Sequence, residues 1–365
     1  MAFGFAAPSA GPMPAPADVQ GSYRERSPDP SKYIFKNMFF PDKLYSINFA
    51  SFDVLGPMTG RLQAGDMDSS PVAQAGRHRK NVAIEPIFMH ASRLVRPSEV
   101  VNQRKLGTLT QMAAAETIML AAEEVATMID QEQELMCIAA ATGSVLTTYA
   151  GSTLTYTYTG LQTFTPSVLW DHKDGSGNYD ANVIDDLCAM VAKLVPECLS
   201  DSFTLIIPDA VARILGQNAG IRDLAKQSVY MGQIGPGAAG KNVTNEMVGT
   251  LLQGYTGIRT VIKYSETRKT ATVSGGVPTY TVHSLMPSNT ISLIGAPAYN
   301  QPLGAFAMCP TINQGNWDNP SPGPWIKAFD HTQTVSNGAY EIYGGFNGVP
   351  EIHIPSCMLY SVVTS

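Results

Sequence analysis

From Thr108 to Ala141 the chain runs for 34 residues without a Pro or a Gly, and Ala, Met, Leu, Glu and Gln dominate. A run of strong helix formers this long predicts one helix of about 50 Å at ~1.5 Å per residue, stopped by Gly143. At ~100° per residue, Glu116, Glu123, Asp130 and Glu134 fall within about 40° of one line. Ile118, Val125, Ile129 and Met136 fall on the opposite side. The pattern predicts an apolar face turned to a core and an acidic stripe turned outward. Such a helix suits a structural spine better than an enzyme core.

The segments before the helix bury little. Residues 1–31 hold six prolines among Ala, Gly and Ser, which predicts an extended arm or tail. Residues 32–52 are aromatic-rich and are expected to dock on a core. From Val54 to His90, two strand-like flanks enclose a Gly/Ser/Asp-rich middle, with the basic cluster Arg77-His78-Arg79-Lys80 on the return limb. A hairpin of over ~30 residues with almost nothing to bury is unusual inside a compact domain and suits a projecting arm.

Beyond the helix, Leu154–Thr165 alternates like a strand pair, and Asp180–Val195 reads as an amphipathic helix with Ile184, Leu187, Met190, Val191 and Leu194 inward. Phe203–Ile207 reads as a buried strand ended by Pro208, followed by helices at Asp209–Gln217 and Val243–Leu252 joined by a Gly-rich loop. Further strands are predicted at Ile258–Tyr264, Tyr280–His283 and Thr290–Ile294. From Trp325 to Val363 the chain is strand-like, with turns at Ser336-Asn337-Gly338 and Asn347-Gly348. Strands and helices mix without regular βαβ alternation, which predicts an α+β fold.

A length of 365 residues suggests about two domains. The chain is 44% hydrophobic, which excludes overall disorder, and only 15% charged, well under the usual ~25%. Low charge with 32 Gly and 25 Pro points to many turns and to surface that meets other protein. No stretch is apolar enough to span a bilayer, and the short apolar start lacks the basic flank of a secretory signal. A net charge of −6 argues against a dedicated nucleic-acid binder. The sign is unevenly spread: residues 1–105 are net +4, residues 106–200 net −10 and the remainder neutral. Such separation favours contact between the two regions, within a chain or between copies.

No chemical motif holds. Gly235-Pro-Gly-Ala-Ala-Gly240-Lys241-Asn242 is one residue short of a P-loop, and Asn242 stands where a Ser or Thr must meet Mg²⁺. His78, His90, His172, His283, His331 and His353 show no metal-ligand spacing, and no GxSxG elbow occurs. Asp180, Asp185 and Asp186 sit at a predicted helix start, where the dipole alone favours carboxylates. Asn242-Val-Thr244 matches a glycosylation acceptor without a secretory route. Five cysteines (Cys137, Cys188, Cys198, Cys309, Cys357) include no CxxC pair and read as reduced, with Cys137, Cys188 and Cys357 inside apolar runs. No catalytic residue, cofactor or metal site is expected.

In order and spacing, these features resemble Hong Kong 97-type phage capsid proteins, and more closely the lambda-type major capsid protein (coat protein E) family. The resemblance rests on Lys36-Asn-Met-Phe-Phe40, Val54-Leu-Gly-Pro-Met-Thr-Gly60 and Val82–Pro86 around the hairpin. Later it rests on Ala210–Gln227 with Arg222, Leu224 and Lys226, on Tyr255–Ile262, on Met286–Ile291 and on Pro355-Ser-Cys-Met-Leu359. It runs from about residue 33 to the end, with residues 315–324 set apart as an insertion.

The resemblance implies an N-terminal arm at 1–53, an E-loop at 54–90, and a P-domain at 91–200 with the spine helix at about 108–141, completed by strands at about 325–350. The A-domain would take 201–324 and 351–365. The implied role is that of a major capsid protein, self-assembling as hexamers and pentamers into an icosahedral shell around double-stranded DNA. The shell would touch that DNA weakly and without sequence preference. Only about 50 residues precede the E-loop, so a separate scaffolding protein is expected, with a portal and in some such phages a decoration protein. The chain is expected to be made in the host cytoplasm and carried in the virion, with no membrane partner. Candidate inter-subunit contacts are Arg77, Arg79 and Lys80 against Glu116, Glu123 and Asp130 of a neighbour. A cellular nanocompartment shell would share the fold and the sequence logic, and a cytosolic enzyme is the rival of a different class.

Overall fold

The computed structural model describes residues 32–56, 79–102, 114–149, 152–198, 202–227, 245–274, 277–297, 302–311, 321–331 and 339–365. The chain divides into two compact units. One comprises Met1–Ala50, Ala83–Glu134 and Phe306–Val349, the other Ser51–Val82, Leu135–Ala305 and Pro350–Ser365. Helices and strands are mixed throughout, as the lack of βαβ alternation predicts.

The spine helix runs over Ala114–Ala141, and its predicted first turn lies outside the described residues. Gly143 follows it with φ of 112°, a conformation that only glycine adopts without strain, so the expected stop is the observed one. Ile118, Val125, Ile129 and Met136 are all buried, as the period predicts.

The acidic stripe requires correction. Glu116 and Glu123 are exposed, but Asp130 and Glu134 are buried. For Glu134 the cause is the segment before the hairpin. Residues Phe35–Phe39 form a π-type turn whose backbone N–H groups at Phe35 and Lys36 donate to the two carboxylate oxygens of Glu134, at 3.0 and 2.8 Å. Lys36 donates to the Gln133 side chain and pairs with Asp42 at 3.4 Å. One face of the helix thus changes from wet to covered along its length.

In this first unit the long strand Tyr340–Ile352 pairs antiparallel with Trp325–Asp330 and with Ile87–Val95. The same sheet continues through Gly304–Met308 to Asp42–Leu44, which pair in parallel. The sheet meets the spine helix at Gly344, where a Cβ would come within 2.5 Å of Val125 and 3.0 Å of Ile129. The turn predicted at Asn347-Gly348 is absent, because both residues lie inside the long strand. Asn347 is fixed there by its side-chain amide, which donates to Asn48 and to the Pro310 carbonyl. Gly348 faces Phe306 and the Ala307 carbonyl too closely for any Cβ. The turn predicted at residues 336–338 lies outside the described residues.

The second unit is built on a five-stranded sheet ordered Gln162–Phe164, Met358–Val362, Thr290–Gly295, Phe203–Pro208, Ile258–Tyr264. Helices Val183–Cys198, Asp209–Gln217, Ala219–Gln227 and Asn245–Thr256 pack on it and on one another. Val183, Leu187, Met190 and Leu194 face inward from the first, while Ile184 and Val191 are half-buried. Helix Ala219–Gln227 is not legible from its residues, since Gly220 weakens its start. Its support is tertiary: the buried Asn218 accepts the Ile221 N–H at 3.2 Å and donates to the Ala181 carbonyl at 2.9 Å. The predicted pair within 154–165 exists as strands but not as a pair. Ser152–Thr157 returns on Ser144–Tyr149, and Gln162–Phe164 joins Met358–Val362.

All five cysteines carry free thiols, and Cys188 is half-buried where a core position was expected. Its position on the helix Val183–Cys198 falls between the inward rows, and its thiol donates to the Tyr255 carbonyl. Cys198 and Cys309, outside the recognised apolar runs, are buried.

Candidate inter-subunit contact surfaces

The hairpin between residues 50 and 84 is described at its base, where Ala50–Leu55 and Arg79–Ile84 form a two-stranded sheet. Asn81 ties the strands together: it accepts from the Ser51 hydroxyl and donates to the Asp53 carboxylate, both at 3.2 Å. Arg79 and Lys80 are exposed on the return strand. Arg77, with the loop tip, lies outside the described residues. The basic cluster is therefore presented to solvent at least over its last two members.

On the first unit, Glu116 and Glu123 project from the spine beside exposed Leu120 and Met128. Asp130, the third acidic candidate, is 7% exposed and cannot meet another copy without rearrangement. The sequence reading missed Arg93, which pairs with Glu124 at 3.1 Å and Glu99 at 3.2 Å on the same outer face. Burial lowers the Arg93 pKa and its carboxylate partners raise it, and the balance is upward. Arg93 lies on a strand that alternates exposed and half-buried residues, and only the register against Tyr340–Ile352 places it by the helix.

The segment expected to dock on a core does so in part. Tyr33, Phe35, Phe40 and Phe52 are buried, whereas Met38, Leu44, Ile47 and Phe49 are exposed. Among the described residues, no group of three or more His, Cys, Asp or Glu is arranged to hold a metal ion. No described helix is long and apolar enough to cross a membrane.

A sequence profile of phage major capsid protein E matches residues 21–312. A search of curated proteins returns no match. Among solved structures, a candidate capsid protein of an Escherichia coli CFT073 prophage superposes with a TM-score of 0.56 at 14% identity, over 94% of this chain and 97% of that one. A phage-related protein from Bordetella bronchiseptica RB50 superposes with a TM-score of 0.53 at 9% identity, over 94% of this chain and 95% of that one. At such identities the likeness is one of fold, that of the Hong Kong 97-type capsid proteins. The profile covers well over half of the residues, and the chain belongs to the phage major capsid protein E family.

Proposed function

We propose that copies of this chain assemble as hexamers and pentamers into the icosahedral shell of a tailed double-stranded DNA phage. The observation that carries this reading is the family match over residues 21–312, in a chain whose longest element among the described residues is a 28-residue spine helix. The role is mechanical, and the chain performs no catalysis. On this reading the spine helix and the sheet around Tyr340–Ile352 correspond to the P-domain. The five-stranded sheet and its helices correspond to the A-domain, and the hairpin based on Ala50–Leu55 and Arg79–Ile84 to the E-loop. The basic E-loop residues Arg77, Arg79 and Lys80 would lie against Glu116 and Glu123 of a neighbour, fixing register more than adding raw affinity. Asp130 leaves this set because it is buried. A separate scaffolding chain and a portal would take part in assembly in the host cytoplasm, a decoration protein could bind the finished shell, and contact with packaged DNA would be weak and non-specific.

The test is expression of the chain alone and with its neighbouring genes, followed by size exclusion and negative-stain imaging. Closed particles of uniform diameter are expected. A monodisperse monomer under all conditions would overturn the proposal, and particles filled with a protein cargo instead of DNA would transfer it to a nanocompartment.

A further inference from the structure

In the second unit a two-stranded ribbon, Thr267–Ser274 and Val277–Ser284, pairs in regular antiparallel register from Thr267↔Ser284 to Ser274↔Val277. Every residue from Thr279 to Ser284 is exposed, so both faces of this limb are open. Tyr280 is 67% and Val282 57% exposed. An isolated two-stranded ribbon is marginal in water, and one that carries a bare Tyr and Val needs a surface to lie on. Its formal charge is of one sign: Arg268 and Lys269 occur between residues 267 and 284, with no Asp or Glu. Lys269 lies directly opposite Val282 in the register.

The same unit carries a surface of opposite character. Val168 and Leu169 are exposed next to a loop and helix start bearing Asp171, Asp174, Asp180 and Asp185, against one Lys, Lys173. This surface is rigidly held. Trp170 between them is fully buried, its backbone N–H donating to Val363 at 2.7 Å and its indole N–H to Asp186 at 2.9 Å. The hydroxyl of Ser365 holds the Asp171 carboxyl below the usual carboxylate range, and the backbone N–H of Asn178 does the same for Asp174. Both carboxylates are therefore held in the charged form at neutral pH.

We infer that the ribbon of one copy lies on the Val168–Asp185 surface of the next copy, Tyr280 and Val282 meeting Val168 and Leu169 while Lys269 faces the acidic loop. The two patches are different parts of one unit, so the contact is head-to-tail, and a head-to-tail contact that closes makes a ring. This rests on the shell reading and specifies which surfaces join copies within a capsomer.

The experiment uses the full chain with Val282→Cys and Val168→Cys, alone and together, in assembled particles under mild oxidant. The double variant should give a ladder on denaturing gels that ends at a closed ring of five or six copies. Co-assembled single variants should stop at dimers, since each copy then offers one half of the contact, and oxidised parent particles control for Cys188. Particles without a ladder from the double variant overturn the inference while leaving the shell intact. In parallel, Lys269→Asp should impair assembly most at low salt, and Asp185→Lys should restore it in part. Normal assembly of Lys269→Asp at low salt likewise overturns it. If the parent chain itself never forms particles, the shell reading fails, and this contact with it.

Discussion

Gly344 of the long strand lies directly against Val125 of the spine helix, so closely that a Cβ on the glycine would come within 2.5 Å of a Val125 methyl. Helix and sheet of the first unit meet here with nothing between them, and the absence of one side chain sets their spacing. Gly344→Ala should destabilise by about 1–3 kcal/mol through overpacking. Combining it with Val125→Ala should recover part of that loss. Chemical denaturation of all four members of the cycle is the measurement, and additive losses would show that the two positions do not share space.

Val125 and Ile129 are 0% and 3% exposed. Either one replaced by Asp would bury a carboxylate with no partner of its own, a cost of several kcal/mol. Insoluble protein without soluble capsomers is expected from both. Normal particles from either would mean that the helix does not bury this face.

Glu134 offers one carboxylate oxygen to each of two backbone N–H groups, Phe35 and Lys36. Glu134→Ala removes the carboxylate that accepts from both donors and should cost about 1–3 kcal/mol for each that water cannot reach. Glu134→Gln keeps a single acceptor and should fall between the parent and the alanine variant. Amide hydrogen exchange at Phe35 and Lys36 reads the effect directly, with faster exchange in the order parent, Gln, Ala.

Asp209 opens the helix Asp209–Gln217 and pairs with Lys263 and with Arg213. The hydrogen bond from Lys263, and then that from Arg213, hold its carboxyl below the usual range. A depressed carboxylate contributes stability above its unfolded pKa of about 3.9, and loses it as pH falls through the lower folded value. Because the pair is part-exposed, the contribution is modest, about 0–1 kcal/mol. Melting temperatures of the parent and Asp209→Asn should therefore differ at neutral pH and converge below about pH 4. A gap that persists into strong acid would point to packing instead of charge.

Reversal of the hairpin charges tests the E-loop contact. Arg77→Glu, Arg79→Glu and Lys80→Glu together should leave a folded subunit that assembles poorly, and most poorly at low salt, where screening is weakest. A spine carrying Glu116→Lys and Glu123→Lys should rescue in part. Rescue that requires a change at Asp130 would contradict its burial.

The residues alone determined the elements whose signal is local. An unbroken run of helix formers ending at Gly143 specifies the spine, and its apolar period specifies which face is buried. The strand Phe203–Pro208 and the helix Asp209–Gln217 follow from apolar patterning and a proline between them. Order and spacing of short motifs carried the family. Tertiary structure decided what depends on distant partners. Glu134 belongs to the acidic stripe by angle, yet residues nearly a hundred positions earlier donate to it and turn a surface carboxylate into a buried cap. Asn347-Gly348 carries turn chemistry, yet an amide held by Asn48 and Pro310 and a close approach to Phe306 keep it extended. Helix Ala219–Gln227 depends on a capping asparagine anchored to Ala181. Local preferences are worth fractions of a kcal/mol per residue, and a buried hydrogen bond left unmade costs more, so where the two disagree the distant partner prevails.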